Sequence, residues 1–159
     1  MTDPTAEKHD VEKRDAAREN VLGRIGQHVV GDGYSGTLME RMGIEVHEVT
    51  ADGATGTMPV EGNVQPYGIL HGGANAVLAE TLGSYAASVH AGEGRAAVGV
   101  ELNCTHHRAA RSGVVTGVAR AIHLGNSVAT YEIVIDDEHG KRLCTSRLTC
   151  LVRERPPAS

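Results

Sequence analysis

Glu80 is the single formally charged residue in the run HGGANAVLAETLGSYAASV from His71 to Val89. A helix lying on water carries a charged stripe opposite its apolar one. This one has no such stripe, so its lone carboxylate needs a reason. Burying a carboxylate costs several kcal/mol unless hydrogen bonds compensate, and desolvation favours the protonated form, which is how a buried acid becomes useful as a base. The bland alternative places Glu80 at a solvated rim or against an arginine across an interface.

Nine residues earlier, His71, Gly72 and Gly73 open the same segment. The first backbone N–H groups of a helix have no partner within it, and the positive end of the helix dipole favours a negative oxygen there. An N–H unshielded by a side chain can approach a carbonyl and stabilise the oxyanion of acyl transfer. Taken alone, Gly-Gly more often marks a tight turn into the helix. A third cluster, Cys104, His106 and His107, has ligand-type side chains. On a strand, Cys104 and His106 share a face while His107 points the other way, so the three do not converge and no metal site is expected.

The elements around these residues are legible as patterns. Ser35 precedes a short helix over Thr37 to Met42, with Gly43 as its stop. IEVHEVT and ATGTMPV flank Ala51-Asp52-Gly53 and read as a β-hairpin. Pro59, Gly62, Pro66 and Gly68 are expected to break regular structure until His71, where a helix begins and runs to about Ala91. Val77, Leu78, Leu82, Tyr85 and Val89 form its expected sheet-facing stripe. Gly73, Ala76, Glu80, Gly83, Ser84 and Ala87 form a small-residue face expected to meet a second subunit.

Period-two alternation then predicts four strands near 95–107, 113–124, 127–136 and 142–152, joined by turns short enough for antiparallel neighbours. In the first, Ala96, Val98, Val100, Leu102 and Cys104 are expected on the core face, with Gly99, Glu101, Asn103 and Thr105 opposite. Two strands, one long helix and four more strands make an α+β fold, one helix laid on one sheet.

The chain has 159 residues, enough for one domain with a real core. It holds no Phe or Trp and only four Tyr, so that core must be aliphatic. Cys104, Cys144 and Cys150 lie in apolar segments without CxxC spacing and read as small hydrophobes in a reducing cytoplasm. Residues 1–20 carry ten charges of mixed sign and read as a charged N-terminal arm, and 21–155 as a single domain. No secretory signal or membrane helix is expected.

The net charge of −5 conceals a basic C-terminal part, with nine Lys/Arg against six Asp/Glu over residues 95–159. That is too dilute for nucleic acid, but a few arginines suffice for a phosphorylated small molecule.

Hairpin, loop, HGG-opened helix, an acid nine residues after the His, and four strands together resemble the hotdog-fold acyl-CoA thioesterases. Within them the chain is most similar to the branch of phenylacetate-pathway and Arthrobacter-type 4-hydroxybenzoyl-CoA thioesterases, over roughly residues 36 to 153. The resemblance implies a curved antiparallel sheet of about six strands wrapped around the central helix, and dimers or tetramers with sheets joined and sites between subunits.

It implies that the Gly72 N–H polarises the thioester carbonyl, that Glu80 (Asp in many relatives) is nucleophile or general base, that Gln65 binds the carbonyl or positions water, and that Ser84 helps hold the attacking water. His71 would orient the loop rather than attack. Coenzyme A, as part of the substrate and with no separate cofactor, would be held by residues such as Arg108, Asn126, Ser127 and Arg153 or Arg155, although Asn126-Ser127 stands where many relatives show Gly-Arg.

Two rivals share the architecture. A hydroxyacyl dehydratase would need a His about fourteen residues before Glu80, and position 66 is Pro. A catalytically silent acyl-CoA-binding module would bind the thioester without releasing thiol.

Overall fold

The computed structural model describes residues 34–155; the expected N-terminal arm and the apolar positions Val21 to Val29 lie outside them. Helix α1 (Leu38–Met42) is capped by the Thr37 side chain, which accepts from Glu40 N–H, and is closed by Gly43 in the left-handed region at φ 65°. Strands β1 (Glu45–Thr50) and β2 (Gly53–Pro59) form the hairpin expected from Asp52-Gly53. Helix α2 (Gly72–Ala91) follows, then β5 (Arg95–His106), β6 (Val114–Leu124), β7 (Val128–Asp136) and β8 (Arg142–Glu154).

The six long strands form one antiparallel sheet in the order β1-β2-β6-β7-β8-β5. Strands β1 and β5 are its two edges. Helix α2 lies across one face, and the fully buried side chains between them include Met58, Leu78, Leu82, Ile133, Ile135 and Leu148. Each such aliphatic side chain contributes about 1.5–3 kcal/mol by leaving water, so the helix is held by hydrophobic burial. Tyr131 shares this core, and its hydroxyl donates to the Ala51 carbonyl at 2.9 Å in the β1–β2 turn. Among the described residues no helix is long and apolar enough to cross a membrane.

Three expectations need correction. The segment before His71 is ordered: β3 (Val64–Gln65) pairs with β4 (Ile69–Leu70) in a small hairpin. Pro66 sits at the second position of the connecting turn, where its fixed φ helps, and Gly68 N–H donates to the Gln65 carbonyl at 2.9 Å.

On α2, Val77 packs half-buried against the core as expected, but Val89 is 39% exposed, whereas Gly83 and Ala87 of the small-residue face are buried. They are covered by the chain's own sheet: a methyl at Gly83 would meet Leu148 Cδ2 at 2.6 Å. Small residues here admit sheet side chains rather than another subunit. Gly73, Ala76, Glu80 and Ser84 stay at least partly open.

The third correction concerns β5. Its register against β8 shifts between Gly99 and Glu101, a bulge at Val100. An extra residue switches the phase of the alternation. Ala97 and Gly99 therefore face the helix before the bulge, and Leu102 and Cys104 face it afterwards. Val98 and Val100, expected in the core, are 42% and 60% exposed.

Candidate active site

The entry to α2 is built by its first residues. His71 is the N-cap, and its Nδ1 accepts the Gly73 N–H at 2.8 Å. An Nδ1 that accepts leaves the ring proton on Nε2. The ring is exposed, so Nε2–H is free to donate outward. The preceding hairpin fixes this arrangement from behind, with His71 N–H on the Asn63 carbonyl at 2.9 Å and Leu70 N–H on the Ala110 carbonyl at 2.8 Å.

The Gly72 N–H has no hydrogen-bond partner among the described residues. It is an orphan donor at the positive end of a 20-residue helix. Across from it stands His106 at the end of β5, whose Nε2 would lie 2.9 Å from a methyl at Gly72. One turn in, Asn75 Oδ1 is buried without a partner.

Glu80 lies two turns further along and is half-buried. Ser84, one turn on and on the same face, donates its Oγ–H to Glu80 Oε1 at 3.1 Å. Beneath the carboxylate is Gly99 of β5, where an added methyl would come 2.5 Å from Oε1. Sequence reasoning placed Gly99 on the opposite face because the bulge was not visible. A glycine inside a strand pattern was the available signal, since it marks a bulge or a close approach.

Gly72 and Glu80 are not neighbours. Eight residues at 1.5 Å rise separate them by about 12 Å along the axis, whereas reacting atoms must come within about 3–3.5 Å. Each chain therefore carries two half-sites: a backbone donor near the His106 end of β5 and a hydrogen-bonded acid near Gly99. Gln65 belongs to the first half, in the hairpin that feeds the helix.

The residues expected to hold coenzyme A divide in the same way. Asn126 and Ser127 are exposed in the β6–β7 turn, where Val152 N–H donates to the Ser127 carbonyl at 2.9 Å. Arg153, also exposed, pairs with Ala96 near the start of β5, and the Arg95 guanidinium donates to the Asn126 carbonyl, a basic group not singled out from the sequence. Arg108 follows the far end of β5, roughly 35–40 Å away at 3.3 Å per strand residue. One chain cannot bring Arg108 and Arg153 to one phosphate. Among the described residues no three His, Cys, Asp or Glu side chains gather as a metal-ligand group; Cys104 instead accepts from Ser146 Oγ at 3.2 Å.

Comparison with known proteins returns a single theme. The family described as the thioesterase superfamily matches residues 67–144. The proofreading thioesterase EntH of Cronobacter turicensis is 49% identical over 118 residues, covering 74% of this chain and 86% of its own. Among solved structures, thioesterase HI1161 from Haemophilus influenzae superposes with a TM-score of 0.72 at 41% identity, over 76% of this chain and 85% of that one. A glutamine-to-alanine variant of thioesterase PA1618 from Pseudomonas aeruginosa gives 0.75 at 36% identity, over 84% and 94%.

Proposed function

Since the chain belongs to the thioesterase superfamily, has the hotdog fold and is a thioester hydrolase, we propose that it cleaves the thioester of a small acyl-CoA. The acyl group is aromatic or short-to-medium aliphatic, as in the branch of phenylacetate-pathway and 4-hydroxybenzoyl-CoA thioesterases. The observation that carries this reading is the unpartnered Gly72 N–H at the start of α2. The carbonyl oxygen sits on that donor, aided by Gln65, with His71 orienting the loop.

Glu80 of a facing copy either takes a proton from a water that Ser84 helps hold, or attacks to give an anhydride that water then opens. In the base route the C–O bond to water forms, the C–S bond breaks and the proton passes to the departing thiolate; in the anhydride route the C–O bond to Glu80 forms as thiolate leaves, and the water that opens the anhydride supplies the thiol's proton. That thiol is a good leaving group, so the step is written without a metal or separate cofactor.

The 12 Å gap between the half-sites supports a site shared by two copies. Edge strand β5 is open, with Val98 and Val100 exposed on it. Two β5 strands paired antiparallel about a two-fold between Leu102 and Asn103, which sets His106 of one copy opposite Gly99 of the other, would bring the Gly72 end of one copy to the Glu80 region of the other. The same operation would bring Arg108 to the partner's end of β5 that carries Arg153, Asn126 and Ser127, forming one basic rim for the nucleotide. A dimer is therefore the minimal unit, and a tetramer is two of them. A single domain over 21–155 and a cytoplasmic site, suited to three free cysteines, complete the reading.

The relatives called proofreading thioesterases favour a second reading, in which wrongly formed thioesters are cleared. Thiol release measured across aryl-CoA and fatty acyl-CoA substrates separates the two, since clearance implies broad, shallow selectivity.

The shared site is tested by complementation. Gly72→Pro removes the donor while suiting a first helical position, and His71 at ψ 133° already has the extended backbone that precedes proline. Gly72→Pro and Glu80→Gln should each be inactive, and co-refolded mixtures should recover turnover because each mixed dimer keeps one intact site. Mixtures as inactive as their components would refute the shared site.

A further inference from the structure

The floor beneath Glu80 is a cross-strand pair. Gly99 of β5 stands opposite Cys150 of β8, on the face of the sheet that carries α2. A methyl at position 99 would lie 2.5 Å from Glu80 Oε1, 3.3 Å from the carboxyl carbon and 3.4 Å from Oε2, so all three atoms rest where a side chain would otherwise be. Cys150 is buried at 1% exposure. Ser84, on the helix above, gives its hydrogen to Glu80 Oε1.

We propose that Gly99 is a positioning residue for thioester hydrolysis: it opens the space the Glu80 carboxylate occupies, beside the Ser84 hydroxyl that donates to it. The inference rests on Glu80 being the reacting acid. The bulge at Val100 belongs to the same device, because it lets Gly99 face the helix while Leu102 and Cys104 remain in contact with the core.

The atom crowded by an alanine at 99 is the far end of a flexible side chain rather than backbone, so the methyl is accommodated by moving the carboxylate. Gly99→Ala should therefore melt close to the wild type and keep KM for an acyl-CoA, while kcat falls about 10- to 100-fold, the scale of a misplacement near 1 Å. Wild-type kcat in Gly99→Ala would overturn the assignment.

Against Glu80→Asp, whose side chain is one methylene shorter, the same alanine should lower kcat by less than about twofold, a coupling that contact between the two predicts. An equal fractional loss in both backgrounds would overturn the steric argument even if Gly99→Ala proved unstable. Glu80→Gln separates the layers: if it still turns over, the role of Glu80 itself fails, whereas an inactive Glu80→Gln beside a fully active Gly99→Ala refutes only the seat.

Discussion

Glycines of the sheet receive side chains of helix α2 in the centre and at the edge, and the two regions behave oppositely. In the centre, Leu82 reaches into gaps left by Gly117 of β6 and Gly56 of β2, where added methyls would lie 2.6 Å from Leu82 Cδ1 and 2.9 Å from Cδ2. At the edge, Glu80 rests in the gap left by Gly99.

The steric device is the same. What differs is what can yield. A methyl at Gly56 would also meet the Glu45 carbonyl oxygen at 2.6 Å, and Leu82 is fully buried, so neither backbone nor side chain has anywhere to go. The Glu80 carboxylate is half-buried beside an open strand and can swing away. A glycine opposite a helix residue therefore protects stability where the neighbour is locked and protects geometry where the neighbour is free.

The largest expected effect breaks the edge contact chemically. Glu80→Gln, nearly the same shape, should lower kcat for acyl-CoA hydrolysis by about 10²–10⁴ with an unchanged melting temperature; thiol release and calorimetry on one preparation decide it. Next comes the central contact. Leu82→Ala should destabilise by about 2–5 kcal/mol in denaturant unfolding, through lost burial and the cavity it leaves, while folded protein keeps its kcat.

Gly117→Ala, which overpacks the same gap, should cost about 1–3 kcal/mol. Combined with Leu82→Ala it should cost less than the sum of the two, since the methyl then enters vacated space. Additive losses would show that Gly117 and Leu82 do not share one gap.

The smallest effect is in pH. The folded-state thiol of Cys150 is raised from 9.0 to about 11. A raised value means the folded state holds the proton more tightly, so the associated stability is complete below pH 9 and is lost as pH rises from about 9 to about 11. Cys150→Ala should lower stability at neutral pH through the small cavity it leaves and flatten the alkaline part of the stability curve.

Most of the frame was readable because alternation and punctuation are local. Asp52, Gly113, Gly125-Asn126 and the turn at Gly140 all fall between strands, with Gly53 opening β2, and the missing charge on α2 singles out Glu80 from sequence alone. The misreadings share one cause. The phase of β5 depends on a hydrogen-bond register shift against β8, and which small residues of α2 meet Leu148 depends on how helix and sheet are set together. These are relations between segments distant in sequence, and no period within one segment carries them. Thus Gly99 looked like a polar-face residue and Gly83 like an interface residue, whereas Cys150, read as packing, is buried in the core.

The bulge at Val100 also has a hereditary side. Removing that one codon would leave Gly99 and Leu102 two positions apart, both still turned toward the helix, because the deletion closes the phase rather than breaking it. A codon lost elsewhere in β5 would turn one half of the strand outward. A lineage can therefore gain or lose a residue at this point of β5 while the seat of the acid is inherited intact.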